Sequence, residues 1–337
     1  MRRDRLLRGA LAAGGVLALG AAPDVGLAAG AAAVPGAARV RLGYLGNPCE
    51  AITFAAPSNA IFHRHHLAAQ LVPFPNEDAL IAAVGAGTVD AASMNLPALM
   101  RPLEAAPDVR VVAGLHAGCL RVVAPDDVIV RTFGNLKGAH IATDRLHGPS
   151  MNLLSALLRR QGIDPRHDVS WRVYPIPDLE AALAAKSVDC VAASDPLGYL
   201  LLVDKSAEPY INTADGGFSC GAGIGNGHHC FLIIHGRLVE NHPARAESIA
   251  RAYLESSAEL ARGVGPAALA EVRGGYTFAD LHTSIGLLST YDWSASTDFV
   301  LEELELTARD FRRAGLLKAS TDPEQLADRA YANVLGA

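Results

Sequence analysis

An α/β protein of two lobes is predicted by three observations. Strand and helix signals alternate from Val40 onward, the alternation repeats after Leu136, and an apolar stretch with a polar notch separates the two runs. That stretch is Val111 to Pro125, VVAGLHAGCLRVVAP, in which Leu115-His116-Ala117-Gly118-Cys119 interrupts two apolar β-runs. It reads as a crossover between lobes and therefore as a hinge, and a notch facing two lobes is where small ligands usually bind.

In chain order, Val40 to Leu45 reads as a strand with a Gly-rich exit, Gly46-Asn47-Pro48-Cys49-Glu50, opening a helix toward His63. Gln70 to Phe74 is a second strand. Asn76-Glu77-Asp78 then starts a helix whose acidic first turn suits the N-terminal dipole and which ends at Gly85 and Gly87. Val89 to Ser93 is a third strand, and Asn95 with Pro97 opens the next helix, proline being favoured in a first turn. Strands alternating with helices in this way predict parallel sheet.

After the crossover, Leu136 to Thr143 is a strand preceded by a turn, and Gly148-Pro149-Ser150-Met151-Asn152 starts a helix with Leu153, Leu154, Leu157 and Leu158 on one face. Val169 to Tyr174 and Val188 to Ala192 are strands flanking an Ala-rich helix from Leu179 to Ala185, and Asp195-Pro196 begins another helix. Cys230 to His235 is an apolar strand, followed by long helices over Pro243–Arg262 and Thr297–Leu317. The expected division is lobe I over residues 40–123 plus 235–337, and lobe II over 124–234.

Composition narrows the function. The 337 residues are 50% hydrophobic and 19% charged, which suits a globular chain with two cored lobes. A net charge of −6 offers no basic footprint, so neither nucleic acid nor an anionic membrane is an expected partner. Residues 1–33 read as a secretory signal: Arg2, Arg3, Arg5 and Arg8, then a Gly/Ala/Leu run from Gly9 to Ala22, then Ala-x-Ala sites between Leu27 and Ala33. Arg2-Arg3 with Leu6 and Leu7 loosely resembles a twin-arginine signal, although Arg5 stands at the usual aromatic position. The expected address is the periplasm. No cysteine precedes Cys49, which argues against a lipoprotein anchor.

The run Leu71 to Asp90, LVPFPNEDALIAAVGAGTVD, with VVAGLHAGCLRVV, LKGAHIAT, the Asp195-Pro196 helix start and the HPARAESIARAY helix, resembles the periplasmic solute-binding proteins of nitrate, sulfonate and taurine ABC importers, of the NMT1/THI5-like superfamily. The resemblance implies a type II periplasmic-binding-protein fold, two α/β lobes on a two-crossing hinge that close on a ligand. It also implies a monomer that is not an enzyme, needs no cofactor, and hands a small anion or related organic molecule to a permease at the inner membrane. One branch of the superfamily, the thiamine-pyrimidine synthases, consumes a cleft histidine, so an enzyme is the alternative from a different class.

Ligands of open α/β sheets bind beyond the carboxyl ends of strands, which here selects Asn47, Cys49, Glu50, Ser93, Asn95, His116, Cys119, Ser150, Asn152, Asp195, His228, His229 and Cys230. Ser93, Asn95, Ser150 and Asn152 stand at helix starts, where free N–H groups favour an anion; the bland reading is that they are ordinary caps worth about 1 kcal/mol each. Cys49, His116, Cys119, His228, His229 and Cys230 are the soft ligand types of transition metals, which makes a metal or metal-complex binder a second alternative. Against it, cysteines often simply pack, Cys119 or Cys220 could pair with Cys230 in an oxidising compartment, and no spacing matches a zinc signature. The His116/Cys119 and His228–Cys230 segments flank the two crossings, so closure is expected to bring them together. His63-Arg64-His65-His66 reads as a solvated helix end, the alternating glycines Gly221 to Gly227 as a flexible loop rather than a phosphate loop, and Gly148–Asn152 lacks the second glycine of a nucleophile elbow.

Overall fold

The computed structural model describes residues 36–57, 60–124, 133–203, 208–212, 228–277 and 279–336. The segment read as a signal, the Gly221–Gly227 run, Pro125 and Cys220 lie outside them. Two five-stranded sheets organise the chain. The first contains β1 (Ala38–Tyr44), β2 (Leu67–Pro73), β3 (Ala91–Asn95), β4 (Val109–His116) and β10 (Cys230–His235) in the order β2-β1-β3-β10-β4. The second contains β5 (Leu120–Ala124), β6 (His140–Thr143), β7 (Ser170–Val173), β8 (Cys190–Ser194) and β9 (Glu208–Asn212) in the order β7-β6-β8-β5-β9.

The parallel pairing predicted from strand-helix alternation holds for β1 with β2 and β3, and for β6 with β7 and β8. It fails for β10, antiparallel to β3 and β4, and for β5, antiparallel to β8 and β9. Both exceptions share one cause. Each is the first strand laid down after the chain arrives from the other sheet, so it starts at the shared edge where its neighbours finish. Sheet membership accordingly changes between His116 and Leu120 and is back in the first sheet at Cys230, so Leu120–Val123 pairs in the second sheet and Cys230–Ile234 in the first.

Both faces of each sheet are covered, which is why the strands read as nearly continuous apolar runs. Along β10 the two-residue period sends Cys230, Leu232 and Ile234 to one face, with Ile249, Tyr253 and Phe62, and Phe231 and Ile233 to the other, with Leu304 and Phe311. Each such fully buried aliphatic or aromatic side chain contributes about 1.5–3 kcal/mol. Gly43 is demanded by close packing: a Cβ there would meet Leu80 Cδ1 at 2.2 Å.

The helices follow their caps. Asn76 accepts from Ala79 N at 2.9 Å to start α3 (Glu77–Gly85), and Asn95 accepts from Ala98 N at 2.9 Å to start α4 (Leu96–Glu104). The single helix expected toward His63 is instead a 3-10 turn (Pro48–Glu50), α1 (Ala51–Ala55) and α2 (Ala60–Arg64). Pro57 explains the break, since it lacks the N–H that a continuous helix needs. In the second lobe α5 (Pro149–Arg160), α6 (Ile176–Ala184) and α7 (Leu197–Val203) follow β6, β7 and β8. Beyond β10 come α8 (Gly236–Asn241), α9 (Pro243–Arg262), α10 (Gly265–Arg273), α11 (Leu281–Leu288), α12 (Val300–Arg313) and α13 (Pro323–Ala330); α9 packs on β4 and β10, and α12 and α13 pack on β4. Of these, the sequence reading resolved only the long pair.

The lobes are in contact. Helix α5 lies against α4 and α12, and its Leu153 and Leu157 enter the first lobe's core. Arg160 pairs with Asp310, and Arg145 meets Glu77 at 2.6 Å. Among the described residues no helix is long and apolar enough to cross a membrane.

Candidate functional site at the lobe junction

Because β5 and β10 start at the shared edge and β1, β3 and β4 end there, the strand termini converge on one buried junction. Cys230 stands opposite His116 in the β10–β4 ladder, His229 N donates to His116 O at 3.0 Å, and Gly118, at φ 113°, lets the chain turn from β4 into β5. Cys119 Sγ lies 3.4 Å from Cys230 Sγ, and the two are not bonded. With Cys49, at the exit of β1, and His116 they form a cluster whose ligand atoms all lie within 4.8 Å of one another. Hydrogen bonds from Cys230 and Cys49 hold the Cys119 thiol below its ordinary range, and the same sharing pushes the other two thiols up.

His116 is 0% exposed, and among the described residues neither ring nitrogen makes a well-formed hydrogen bond. Its imidazole stacks on Tyr291, with ring centroids 5.1 Å apart and planes at 3°, and leans on Trp293 at 4.7 Å. Burial lowers its pKa. The Tyr291–Ser296 segment roofs this ring, bridging to β4 through Ala117 with Asp292 and Gly114 with Ser296.

Other expected site residues are committed elsewhere. Glu50 accepts from Leu45 N, Gly46 N and Asn47 N at 2.8–3.1 Å, so it satisfies the donors of the β1 exit, and Asn47 belongs to that loop. Burial raises the Glu50 pKa to about 8, against the pull of those three amides. Ser93 is buried in β3 opposite Leu232, and Asn95 caps α4. His228 is held within the first lobe, its Nε2 2.8 Å from Ser294 O and its Nδ1 3.4 Å from Glu303. Burial disfavours its cation, but Glu303 outweighs that and its pKa is raised. Gly114 makes the room, since a Cβ there would come within 2.4 Å of the His228 ring.

On the second lobe, Ser150 Oγ lies 3.0 Å from Ser194 Oγ, and Asn152 Nδ2 donates across the interface to Pro97 O at 3.2 Å and to His147 O at 3.0 Å. Asp195 is bound in bidentate fashion by Arg121, through Nε at 2.9 and 3.1 Å and Nη2 at 2.9 Å, and accepts from Tyr199 N at 2.9 Å. Desolvation raises the Asp195 pKa in spite of that partner. Arg121 also donates to Thr290 at 2.7 Å, which ties the second lobe to the segment that roofs His116. Neither Arg121 nor Thr290 was singled out from the sequence, although a lone arginine in the apolar run LRVVA was the available signal. Beside Arg121 is a cavity of about 10 Å³, bounded by Leu120, Val122, Ser150, Leu153, Leu154 and Leu157, enough for about one water.

Two α/β lobes exchanging strands across a two-crossing hinge define the periplasmic-binding-protein fold. The chain belongs to the NMT1-like family, which matches residues 33–271. Three solved structures share the fold. The alkanesulfonate-binding protein SsuA of Xanthomonas axonopodis pv. citri, bound to MOPS, is 20% identical, with 88% of this chain and 99% of that one covered and a TM-score of 0.65. The periplasmic aliphatic sulphonate binding protein SsuA of Escherichia coli is 17% identical over 85% and 96%, with a TM-score of 0.69. The periplasmic nitrate-binding protein NrtA of Synechocystis PCC 6803 is 13% identical over 88% and 86%, with a TM-score of 0.65. No curated protein matches the sequence.

Proposed function

We propose that this chain is the periplasmic solute-binding component of an ABC importer, capturing a small anionic or related organic solute between its lobes and delivering it to the permease. The observation that carries this reading is the convergence of strand ends from both sheets on one junction, with a helix start from each lobe, α4 and α5, facing across it. Family membership and the sulfonate- and nitrate-binding neighbours support the same reading. In this reading lobe I is residues 40–123 plus 235–337 and lobe II residues 124–234, and the changes of sheet between His116 and Leu120 and at Cys230 support boundaries a few residues earlier in each case.

In this reading the solute enters by separating α5 from α4 and α12, and the start of α5, where Ser150 and Asn152 stand and Asn152 reaches Pro97 of α4, supplies the polar contacts. The chain performs no chemistry of its own. A histidine consumed in synthesis must be reachable by substrate, whereas His116 and His229 are 0% and 2% exposed. The test is a melting-temperature panel of nitrate, sulfonates, carboxylates and pyrimidines, run on zinc-loaded protein and again in chelator. At a hundred times its dissociation constant a true solute stabilises the protein by about 2.7 kcal/mol. Silence from every compound would overturn the reading.

A further inference from the structure

We propose that Cys49, His116, Cys119 and Cys230 form a closed tetrahedral site for a resident zinc ion that fastens the hinge. Three thiols and an imidazole are the donor set of structural zinc sites. In such sites metal–sulfur bonds of about 2.3 Å and a metal–nitrogen bond of about 2.0 Å place the donors roughly 3.5–3.8 Å apart. Here the four donor atoms already lie within 4.8 Å of one another, and two of the sulfurs are 3.4 Å apart, so side-chain adjustment alone closes the shell.

The second observation is His116. An imidazole with both nitrogens buried and neither in a well-formed hydrogen bond among the described residues is a poor packing residue, and its ring is fixed by Tyr291 and Trp293 while its donor atoms lie beside the thiols. Cysteines that merely fill a core do not account for that histidine. The ligands come from three chain segments, the β1 exit, the β4–β5 crossing and the start of β10, so one ion would tie both crossings to the first strand. All four coordination positions belong to the protein and three of the ligands are buried, which makes the ion a fixed part of the fold rather than transported cargo.

The test uses the full mature chain, reduced, stripped with chelator and titrated with Co²⁺ and then Zn²⁺. One equivalent of Co²⁺ is expected to give thiolate charge-transfer and intense d–d absorption of a tetrahedral site, and Zn²⁺ to bleach it. Cys119→Ser and Cys230→Ser, each checked for native circular dichroism, are expected to weaken binding by at least the ~10–100-fold that loss of an outer-shell partner costs elsewhere. Cys190→Ser, at a buried thiol outside the cluster, is expected to bind as wild type. Absence of tetrahedral cobalt absorption in the wild-type protein overturns the proposal, as does a Cys119–Cys230 disulfide in protein isolated from the periplasm without reductant. Because the solute panel is read on zinc-loaded as well as chelated protein, silence in both states counts against the solute reading, while the cobalt titration alone decides the metal site.

Discussion

Two polar centres are buried at the lobe junction, and they are satisfied in opposite ways. Arg121 and Asp195 share a bidentate pair, with Thr290 and Tyr199 N taking up further hydrogen-bonding capacity. His116, Cys119 and Cys230 are as deeply buried, with Cys49 half-buried beside them, yet among the described residues the imidazole nitrogens make no well-formed hydrogen bond. A buried group costs least when fully hydrogen-bonded, so the first centre is complete as it stands and the second is complete only with something added.

The largest test of that contrast removes one half of the satisfied pair. Asp195→Ala leaves the Arg121 guanidinium buried without its counter-ion and is expected to cost about 3–5 kcal/mol in urea unfolding. A loss under about 1 kcal/mol would mean that solvent reaches the pair and that the two centres do not differ.

Glu271 extends the comparison to a second incompletely satisfied group. It is buried on α10 beside Ser284, with no well-formed hydrogen bond to either oxygen, and desolvation raises its pKa to about 7. The folded chain therefore holds the proton more tightly than the unfolded chain. Its stabilising contribution is complete below the unfolded value of 4.5 and is lost as pH rises toward about 7, a loss on the order of 2–3 kcal/mol. Unfolding free energies should fall less between pH 4 and 8 in Glu271→Gln than in the wild type, by on the order of 2–3 kcal/mol, the fall contributed by Glu50 being common to both proteins. Equal slopes in the two proteins would refute the assignment.

The smallest expected effect is the most discriminating. In chelated protein His116→Phe replaces a buried, unpartnered imidazole with an apolar ring that keeps the stack on Tyr291, so stability should be unchanged or rise by about 1 kcal/mol. The same substitution in zinc-loaded protein should destabilise it. A clear loss in the chelated state would show that His116 is already satisfied by the chain alone.

The alternation of strands and helices was legible because turn and cap residues punctuate it: Asn76, Asn95, Pro149 and Pro243 each open a helix where the sequence places one. Strand direction was not, since an apolar run such as Cys230–His235 reads alike in parallel and antiparallel pairings. The meeting of His116 and Cys119 with Cys230 was anticipated from the crossings, but their depth was not. Side chains at strand ends look cleft-facing until the roof contributed by Tyr291–Ser296 is known, and that segment carries no periodic signal. The short helices α8, α10, α11 and α13 escaped for a different reason: each runs only 6–9 residues, too short for a helical period to stand out, although Asp280 and Asp322 cap two of them. Glu50 illustrates the remaining limit: a carboxylate beside a Gly-rich turn suits a ligand contact and a loop brace equally well, and only the hydrogen bonds decide.

That brace has a consequence for selectivity. The amides of Leu45, Gly46 and Asn47 converge in the manner of an anion receptor, and the chain has already filled it with its own Glu50 carboxyl group. A visiting oxyanion at this corner would have to evict a covalently tethered competitor whose effective concentration never falls. The first strand's terminus is thus a strut rather than a receptor, and on the proposed function discrimination among solutes would fall to the opposite wall, where among the described residues no side chain caps the start of α5.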